Sequence, residues 1–281
     1  MAEAPGLGIV AGTGALPRML AEAEAEAGRP YRVILFGDEA RDWTDAHPLI
    51  RVPFEKPGRL FAELRSAGCG RIVFAGWMGR PRPDPLRFDL TALRLAARIL
   101  PALRGGDDAL LRVLAETFEG AGFEMVAPHA LLEGLVQPAG VPTRAAPGDA
   151  DRADAARAEE LVAAIGAVDV GQAAVVGQGL CLGLESIAGT DALLDYVAAT
   201  RDGRLPDPEG ARGLLFKAPK PGQDWRVDLP AIGPETVTRA AAAGLGGIVV
   251  EAGGVLILAR EEVVARADAA GLFLWVREPG G

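Results

Sequence analysis

The first half of the chain alternates short apolar runs with amphipathic segments, a pattern that predicts strands alternating with helices. LGIVA (7–11), YRVILF (31–36) and RIVFA (71–75) are the predicted strands, and helices follow the first two. Such alternation is typical of a parallel sheet with crossover helices. Two further helices, FDLTALRLAARIL and DDALLRVLAETFEGAG, and a strand in FEMVAP complete the pattern. We therefore expect a Rossmann-like nucleotide-binding domain over residues 1–135.

The pattern changes after QPAGVPTRAAPGD, whose prolines and glycines predict a linker over residues 136–149. Beyond it, helices near 149–166, 234–243 and 260–270 are interspersed with apolar strands. The EAGG turn (251–254) predicts a hairpin between GIVVEA and GVLILA. We therefore expect a mixed α/β domain with antiparallel pairs over residues 150–281. The predicted fold class is α/β: a Rossmann-like parallel-sheet N-terminal domain and a mixed α/β C-terminal domain.

Composition narrows the class of protein. The 281 residues include 29 Lys and Arg and 38 Asp and Glu, giving a formal net charge of −9. An acidic balance argues against a nucleic-acid partner. Cys69 and Cys181 are far apart and form no CxxC motif, which fits a reducing compartment. There is no signal-peptide pattern and no run of about 18 apolar residues, so we expect a soluble, cytoplasmic protein.

Two histidines limit the chemistry. His47 and His129 are too few for a His-rich metal site, and neither lies in a context that suggests a Ser-His-Asp triad. A metal, if used, would be held by carboxylates, which favours Mg²⁺ or Mn²⁺.

GTGALP (12–17) follows the first predicted strand. Gly12 and Gly14 allow a ligand to approach the backbone, and free N–H groups at the following helix attract an anion. Pro17 occupies the place of the third glycine of a dinucleotide motif, and Asp38 could imitate its ribose-binding acid. The segment is therefore either a ligand loop, which includes that of a nicotinamide-dependent dehydrogenase, or a simple tight turn.

AGWMGRPRPD (75–84) follows the third predicted strand and should lie at the same sheet edge as GTGALP. Arg80 and Arg82 could contact phosphate and Trp77 and Met78 could form an apolar wall, or the loop is merely solvated.

Two further segments combine acidic residues with helix starts. In GGDDALLR, Asp107 and Asp108 lie at a helix start, where one of them suits an N-cap. In GLESIAGTDALL, Glu185 ends a strand, and Thr190 or Asp191 is expected to cap the next helix.

KAPKPGQDWRVDLPAIGPET (217–236) is unusually polar for this Ala- and Leu-rich chain. Prolines fix the course of the loop, and cations beside carboxylates suit a phosphate site. A surface mesh of ion pairs would use the same charged residues but would not need the prolines or the glutamine. The polar positions are Lys217, Lys220, Gln223, Asp224, Arg226 and Asp228.

This string resembles the signature of the LpxI family, bacterial UDP-2,3-diacylglucosamine pyrophosphatases of lipid A synthesis. AGTGALP, GDDALLR, GLESIAGTDALL and EAGGVLIL…LFLWV occur in the family's order, so the resemblance covers essentially the whole chain. It implies a Mg²⁺-dependent hydrolase whose two domains close over a lipid sugar nucleotide. Water would attack the phosphorus attached to the sugar, giving UMP and 2,3-diacylglucosamine 1-phosphate.

The resemblance also implies that residues 150–281 form the catalytic domain, and it assigns the site. Asp224 would be the key catalytic acid, with the other polar positions of the string beside it, and Asp224 and Asp228 would hold the metal. We assign nucleotide binding to Gly12, Thr13, Gly14 and Leu16. We assign substrate binding to Gly76, Gly79, Arg80, Thr190 and Asp191. This interpretation is compatible with peripheral contact with the inner membrane and with a homodimer. Its alternatives are a nicotinamide-dependent oxidoreductase and a non-catalytic nucleotide-binding scaffold.

Overall fold

The computed structural model describes residues 5–37, 41–79, 82–102 and 107–280, and for residues 107 and 108 the backbone alone. The chain divides into two compact units. The first comprises residues 1–133 together with Asp224–Asp228, and the second comprises Gly134–Gln223 and Leu229–Gly281. A short segment of the polar loop therefore belongs to the first unit although its neighbours on both sides belong to the second.

The first unit is built on a five-stranded, wholly parallel sheet in the order β3-β2-β1-β4-β5. Its strands are β1 (Gly6–Ala11), β2 (Tyr31–Phe36), β3 (Leu49–Val52), β4 (Cys69–Ala75) and β5 (Glu124–Met125). Its helices are α1 (Leu16–Glu26), α2 (Pro57–Ser66), α3 (Leu90–Ala102), α4 (Asp107–Gly120) and α5 (Pro128–Leu131). This confirms the Rossmann-like prediction, and β3 is a strand that the sequence pattern missed.

The core of the first unit explains its apolar periodicity. Leu60 and Leu64 of α2 and Phe118 of α4 pack on Ile72 and Phe74 of β4 in one buried cluster. Because the sheet is covered by helices, its strands read as continuous apolar runs rather than as alternating ones.

The second unit is a mixed sheet in the order β12-β10-β8-β6-β7, in which β8, β10 and β12 are parallel and β6 is antiparallel to both of its neighbours. The strands are β6 (Ala173–Gly177), β7 (Leu180–Leu184), β8 (Leu214–Lys217), β10 (Gly247–Glu251) and β12 (Phe273–Arg277). A separate parallel pair consists of β9 (Ala231–Ile232) and β11 (Leu256–Ile257). The helices are α6 (Asp149–Ala167), α7 (Gly189–Thr200), α8 (Pro234–Ala242) and α9 (Arg260–Ala270). The expected mixed α/β character and antiparallel pairs are confirmed.

The predicted hairpin at 251–254 is wrong. β10 pairs in parallel with β8 and β12, whereas β11 leaves that sheet and pairs with β9. The physical reason is burial, because Ile248, Val249 and Val250 are all buried, as in a central strand covered on both faces. The residues after β10 do form a turn, as predicted, but the strand that follows the turn pairs with β9 and not with β10.

Residues of the predicted linker are hydrogen-bonded to the second unit. Gly140 exchanges two backbone hydrogen bonds with Val276, at 2.9 and 2.8 Å, and the Thr143 hydroxyl accepts from the Leu274 N–H at 2.9 Å. The domain boundaries and the role of residues 136–149 as a linker stay predictions. Within the described ranges, no helix is both long enough and apolar enough to cross a membrane.

Candidate active site

The loops after β1 and β4 meet at the carboxyl edge of the first sheet, as the sequence predicted. The Thr13 N–H donates to the Trp77 carbonyl at 2.7 Å, and the Trp77 N–H donates back to Thr13 at 3.2 Å. In the order β3-β2-β1-β4-β5 the chain reverses direction across the sheet between β1 and β4. Ligands of doubly wound sheets bind at such a switch point, so the two loops occupy the expected position for one.

Glycines at this edge serve different purposes. A Cβ on Gly12 would collide with the backbone of Gly76 and Trp77, and one on Gly76 (φ 78°) would collide with the Thr13 carbonyl. These two glycines are therefore explained by the close approach of the loops. Gly14 (φ 94°) would meet nothing within 4 Å. Its backbone is consequently open to a ligand.

The remaining predicted residues of this edge differ in their surroundings. Leu16 is buried at the start of α1, and Gly79 lies beside the exposed ring of Trp77. Arg80 and Asp38 lie outside the described residues, as do the side chains of Asp107 and Asp108.

Asp224 is held by the arginine two residues further on. Its Oδ1 accepts from the Arg226 N–H and Nε, each at 3.0 Å, and its Oδ2 accepts from Nη2 at 2.7 Å. Arg226 also donates to Glu119 of α4 at 2.7 Å. The Arg226 hydrogen bonds, with a smaller contribution from the charge of Arg112, hold the pKa of Asp224 below its usual range. Asp224 is therefore a carboxylate at neutral pH.

Val227 anchors this segment in the first unit. Its side chain is buried in the same apolar cluster as Phe118 and Phe123, and Met78 from the loop after β4 packs against that cluster. The Val227 and Asp228 N–H groups both donate to the Asp224 carbonyl, at 3.0 and 3.1 Å, which forms a turn. The turn leaves Asp228 half-buried and gives Asp224 a fixed backbone.

Lys217 belongs to a buried polar cluster at the carboxyl end of β8. Its Nζ donates to the Thr190 hydroxyl at 2.7 Å and to the Ala231 carbonyl at 3.1 Å. Thr190 in turn donates to Glu185, whose Oε2 lies 3.9 Å from Nζ. Lys217 and Glu185 are both buried. The carboxylate therefore fixes the Thr190 proton, so that the hydroxyl oxygen accepts from the ammonium.

Lys220 and Gln223 brace the loop that follows. Lys220 pairs with Asp169, which has a left-handed backbone (φ 53°) in the turn after α6. Buried Gln223 accepts from the Lys220 N–H at 2.9 Å. Lys220 and Gln223 are thus in contact, and with Lys217 they belong to the second unit, whereas Asp224, Arg226 and Asp228 belong to the first.

The expected capping role of Thr190 or Asp191 is wrong. α7 begins at Gly189, its N-cap is Ala188, and it has no side-chain cap. Thr190 instead donates a hydrogen bond to Glu185. Exposed Asp191 lies 3.7 Å from Arg239, in a surface group of charges that includes Asp195. A hydrogen bond to a buried carboxylate thus overrides the local capping preference.

Glu185 and Asp169 are polar partners that the sequence reasoning did not assign to the site. Glu185 follows directly after the apolar strand β7, just as Lys217 ends β8. A charged residue at the end of an apolar strand was the available signal. Asp169 had no comparable signal, because its pairing depends on the tertiary fold.

Carboxylates are the donors that could hold a divalent metal here. Mg²⁺ commonly binds to one or two carboxylates and completes its shell with water and substrate phosphates. Asp224 and Asp228 supply that kind of donor, although both Asp224 oxygens accept from Arg226. Among the described residues, no group of three His, Cys, Asp or Glu side chains is arranged to hold a metal ion. Asp224 and Asp228 therefore have the right donor chemistry, and their role as metal ligands stays a prediction.

The fold and these residues define a class: an α/β protein with a glycine-containing turn at its switch point and a polar loop that contains prolines. Residues 6–135 match the LpxI N-terminal domain family, and residues 138–275 match the LpxI C-terminal domain family. The UDP-2,3-diacylglucosamine pyrophosphatase LpxI of Caulobacter vibrioides is 41% identical over 273 residues, which cover 97% of this chain and 98% of that protein. The chain belongs to the LpxI family.

Proposed function

We propose that this protein hydrolyses the pyrophosphate of UDP-2,3-diacylglucosamine to UMP and 2,3-diacylglucosamine 1-phosphate, a step of lipid A synthesis. The observation that carries the proposal is the full-length similarity to the Caulobacter pyrophosphatase, at 41% identity over 97% of this chain. The polar loop supplies the residue types that this reaction needs, which are cations for phosphate oxygens and a carboxylate that stays ionised.

The reaction requires a water oxygen to attack the phosphorus attached to the sugar. A new P–O bond forms there, and the bond from that phosphorus to the bridging oxygen breaks. The bridging oxygen leaves with UMP, and the proton lost by water passes to solvent. The chain must therefore offset negative charge on the phosphates and orient one water molecule.

Lys217 and Lys220 are proposed to offset that charge. The Lys217 ammonium has three N–H donors, and two of them go to Thr190 and Ala231. A buried ammonium held in this way needs little reorganisation when a phosphate oxygen arrives, so its charge is effective. Thr190 and Glu185 act through Lys217 by fixing its position.

Asp224 is proposed to orient the attacking water by accepting a hydrogen bond from it. A carboxylate whose pKa is held low by Arg226 is a weak general base but a reliable acceptor at neutral pH. Asp224, with Asp228, would also hold Mg²⁺, which would supply charge neutralisation at the phosphates.

The nucleotide half of the substrate is proposed to bind at the turn after β1. Gly14 offers an open backbone there, and the N–H groups at the start of α1 have no side-chain cap to occupy them. An anion at a helix N-terminus is stabilised by those groups and by the helix dipole. Gly12, Thr13, Leu16, Gly76 and Gly79 shape this edge.

The test is UMP release by the purified protein from UDP-2,3-diacylglucosamine, compared with UDP-N-acetylglucosamine as the matched substrate without the two acyl chains. We expect turnover of the acylated substrate and little of the other. Absence of UMP release from the acylated substrate by a folded protein supplied with Mg²⁺ would refute the proposal.

The turn also favours a second candidate, a nicotinamide-dependent oxidoreductase, because it lies at the switch point of a Rossmann-like sheet. That alternative depends on Asp38, which lies outside the described residues. Titration with NADH, followed by cofactor fluorescence, distinguishes the two. We expect no saturable change in NADH fluorescence with the protein, and saturable binding of UMP in a separate titration. Cytoplasmic location and a homodimer stay predictions.

A further inference from the structure

Large apolar side chains are exposed along one stretch of the first unit, from residue 86 to residue 100. Leu86 is 95% exposed, Leu90 74% and Leu93 57%, and Leu100 is also exposed. Single exposed leucines are ordinary, but a group of them on one element marks an interaction surface. We call Leu86, Leu90, Leu93 and Leu100 the leucine face.

Helix geometry shows that Leu90 and Leu93 lie off the packing face of α3. Leu90, Leu93 and Leu100 are three, seven and ten residues apart and share one side of the helix. Ala92, Ala96 and Ile99 line an apolar cavity together with side chains of α2 and α4, and Leu100, at the edge of the leucine face, lines it too. The core contacts of α3 are therefore made without Leu90 and Leu93.

The charges around the leucine face are positive in a chain that is acidic overall. Residues 82–100 contain four arginines and two aspartates, whereas the whole chain has a net charge of −9. Both aspartates are used in capping: Asp84 accepts from the Leu86 N–H at 3.0 Å, and Asp89 accepts from Ala92 at 2.7 Å and Gly58 at 2.9 Å. All four arginines are exposed. Arg98 pairs with Glu116 of α4, whereas Arg82, Arg87 and Arg94 are close in sequence to the leucines.

We propose that the leucine face, with Arg82, Arg87 and Arg94 at its rim, docks on the surface of an anionic lipid bilayer. The leucines and arginines lie on α3 and on the short segment before it, which includes the 3-10 helix Pro85–Arg87. Such a combination is typical of segments that lie in the membrane interface, where apolar side chains enter the acyl boundary and cations meet lipid phosphates. An acidic protein would also complement these arginines, and we favour a bilayer because the proposed substrate carries two acyl chains. The inference rests on the proposed function in one respect, that a diacylated substrate resides in a bilayer.

The experiment is co-sedimentation of the full chain with two kinds of vesicle. One contains phosphatidylethanolamine and phosphatidylglycerol, and the other contains phosphatidylcholine alone. We expect binding to the anionic vesicles that weakens with added salt. Leu90→Gln/Leu93→Gln should lower the partition coefficient roughly tenfold or more, because two leucines no longer enter the acyl region. Arg87→Gln/Arg94→Gln should lower binding to anionic vesicles by a similar, roughly tenfold factor and should not change binding to phosphatidylcholine.

The matched control is Val168→Gln/Ile187→Gln, which removes two apolar side chains of comparable exposure, 70% and 74%, elsewhere on the chain. It should bind anionic vesicles like the wild type. A melting curve shows whether each variant is folded. If the leucine double variant does not fold, the arginine double variant still tests the proposal. Wild type that stays in the supernatant with both vesicles overturns the proposal. So does a folded leucine variant that binds normally, or one that loses only self-association.

Two readouts separate this proposal from the proposed function. The vesicles contain no substrate, so binding to them does not depend on turnover. Conversely, hydrolysis of the lipid substrate dispersed in detergent should stay within about twofold of wild type for the leucine pair, because no bilayer is needed there. Detergent turnover without vesicle binding would overturn the docking surface alone, and vesicle binding without turnover would overturn the proposed function alone.

Discussion

At the scale of single residues, Lys217, Lys220 and Asp224 of the polar loop (217–236) each have a defined partner. Lys217 is held by Thr190 and Ala231, Lys220 by Asp169, and Asp224 by Arg226. Such pairing fixes the groups before a ligand arrives, which is the condition for electrostatic stabilisation of a transition state without reorganisation. The residue types were evident from the sequence, but their pairing was not, because Asp169 and Lys220 are 51 residues apart.

Asp224→Ala should reduce turnover roughly a hundredfold or more, in line with the loss of a major electrostatic element. The variant should fold, because Arg226 keeps Glu119 as a partner at 2.7 Å and Val227 keeps its buried position. Substrate binding should persist. Steady-state UMP release, a binding titration and a melting curve measure the three properties.

The matched control for Asp224→Ala is Asp202→Ala, which removes an exposed aspartate from the second unit and should leave turnover near normal. Asp224→Asn removes the negative charge but keeps the size of the side chain, and it should lose as much turnover as Asp224→Ala. A folded Asp224→Ala with near-normal turnover would remove this residue from the mechanism.

Glu251 gives a prediction about pH and stability. Burial, reinforced by the nearby Glu159 carboxylate, raises the pKa of Glu251 above its usual value, and Arg277 opposes the shift. A raised carboxyl pKa means that the folded state favours the protonated form, so the contribution to stability is present below the unfolded pKa of about 4.3 and is lost as pH rises through the folded pKa. Glu251→Gln should therefore raise the Tm at pH 7.5 and change it little at pH 4.

The measurement is thermal unfolding of Glu251→Gln and wild type at both pH values. Glu261→Gln, which changes an exposed glutamate in the first turn of α9, is the matched control and should show no such dependence on pH. A Tm gain of equal size at pH 4 would attribute the effect to packing rather than to titration.

At the scale of elements, the sequence predicts strands and helices well where they are long and periodic. α6, α8 and α9 lie within a residue or so of their predicted ranges. β3 and β9 were missed because four and two residues carry too little periodicity to be recognised. β11 lies within the predicted strand GVLILA, but its partner was predicted wrongly. The hairpin error had another cause: a turn motif reports the local bend, whereas strand pairing depends on which faces are buried.

The two loops at the carboxyl edge of the first sheet allow a paired prediction on Gly14 and Gly76. Gly76→Ala meets both a left-handed backbone and a collision with the Thr13 carbonyl, so it should destabilise the fold by about 2 kcal/mol or more. Gly14→Ala meets open space and should cost only about 1 kcal/mol, from the left-handed backbone.

Gly14→Ala, the variant with the smaller loss of stability, should lose nucleotide affinity. In the proposed site its new methyl group would occupy the side from which the ligand approaches. We expect UMP affinity to fall roughly tenfold or more for Gly14→Ala, while its unfolding midpoint in urea falls only as far as a loss of about 1 kcal/mol requires. Gly179→Ala, another glycine with a positive φ and open surroundings, is the control and should match Gly14→Ala in stability without losing affinity. Equal UMP affinities for the two variants would exclude the turn from the nucleotide site.

At the scale of the whole molecule, both matched family domains belong to one family and together span nearly the entire chain. The sequence indicated this through motifs distributed over the full length. What it could not indicate is that residues 224–228 belong to the first unit, since neighbours in sequence on both sides belong to the second. That assignment depends on the burial of Val227 among aromatic side chains distant in sequence.

The metal requirement is a prediction about the whole molecule with its substrate. Turnover should need Mg²⁺ or Mn²⁺ and should not need Zn²⁺, because the chain has only two histidines and two cysteines and offers carboxylates at the polar loop. Within the described residues no three acidic, His or Cys side chains form a metal group. A site completed by substrate phosphates should therefore bind Mg²⁺ weakly on its own, so that the melting temperature changes little with EDTA and rises when Mg²⁺ and a non-hydrolysable substrate analogue are added together. Asp224→Ala should lose that joint rise, while the control Asp202→Ala keeps it. Undiminished turnover in excess EDTA, after bound metal has been removed, would contradict the requirement and leave charge neutralisation to Lys217 and Lys220 alone.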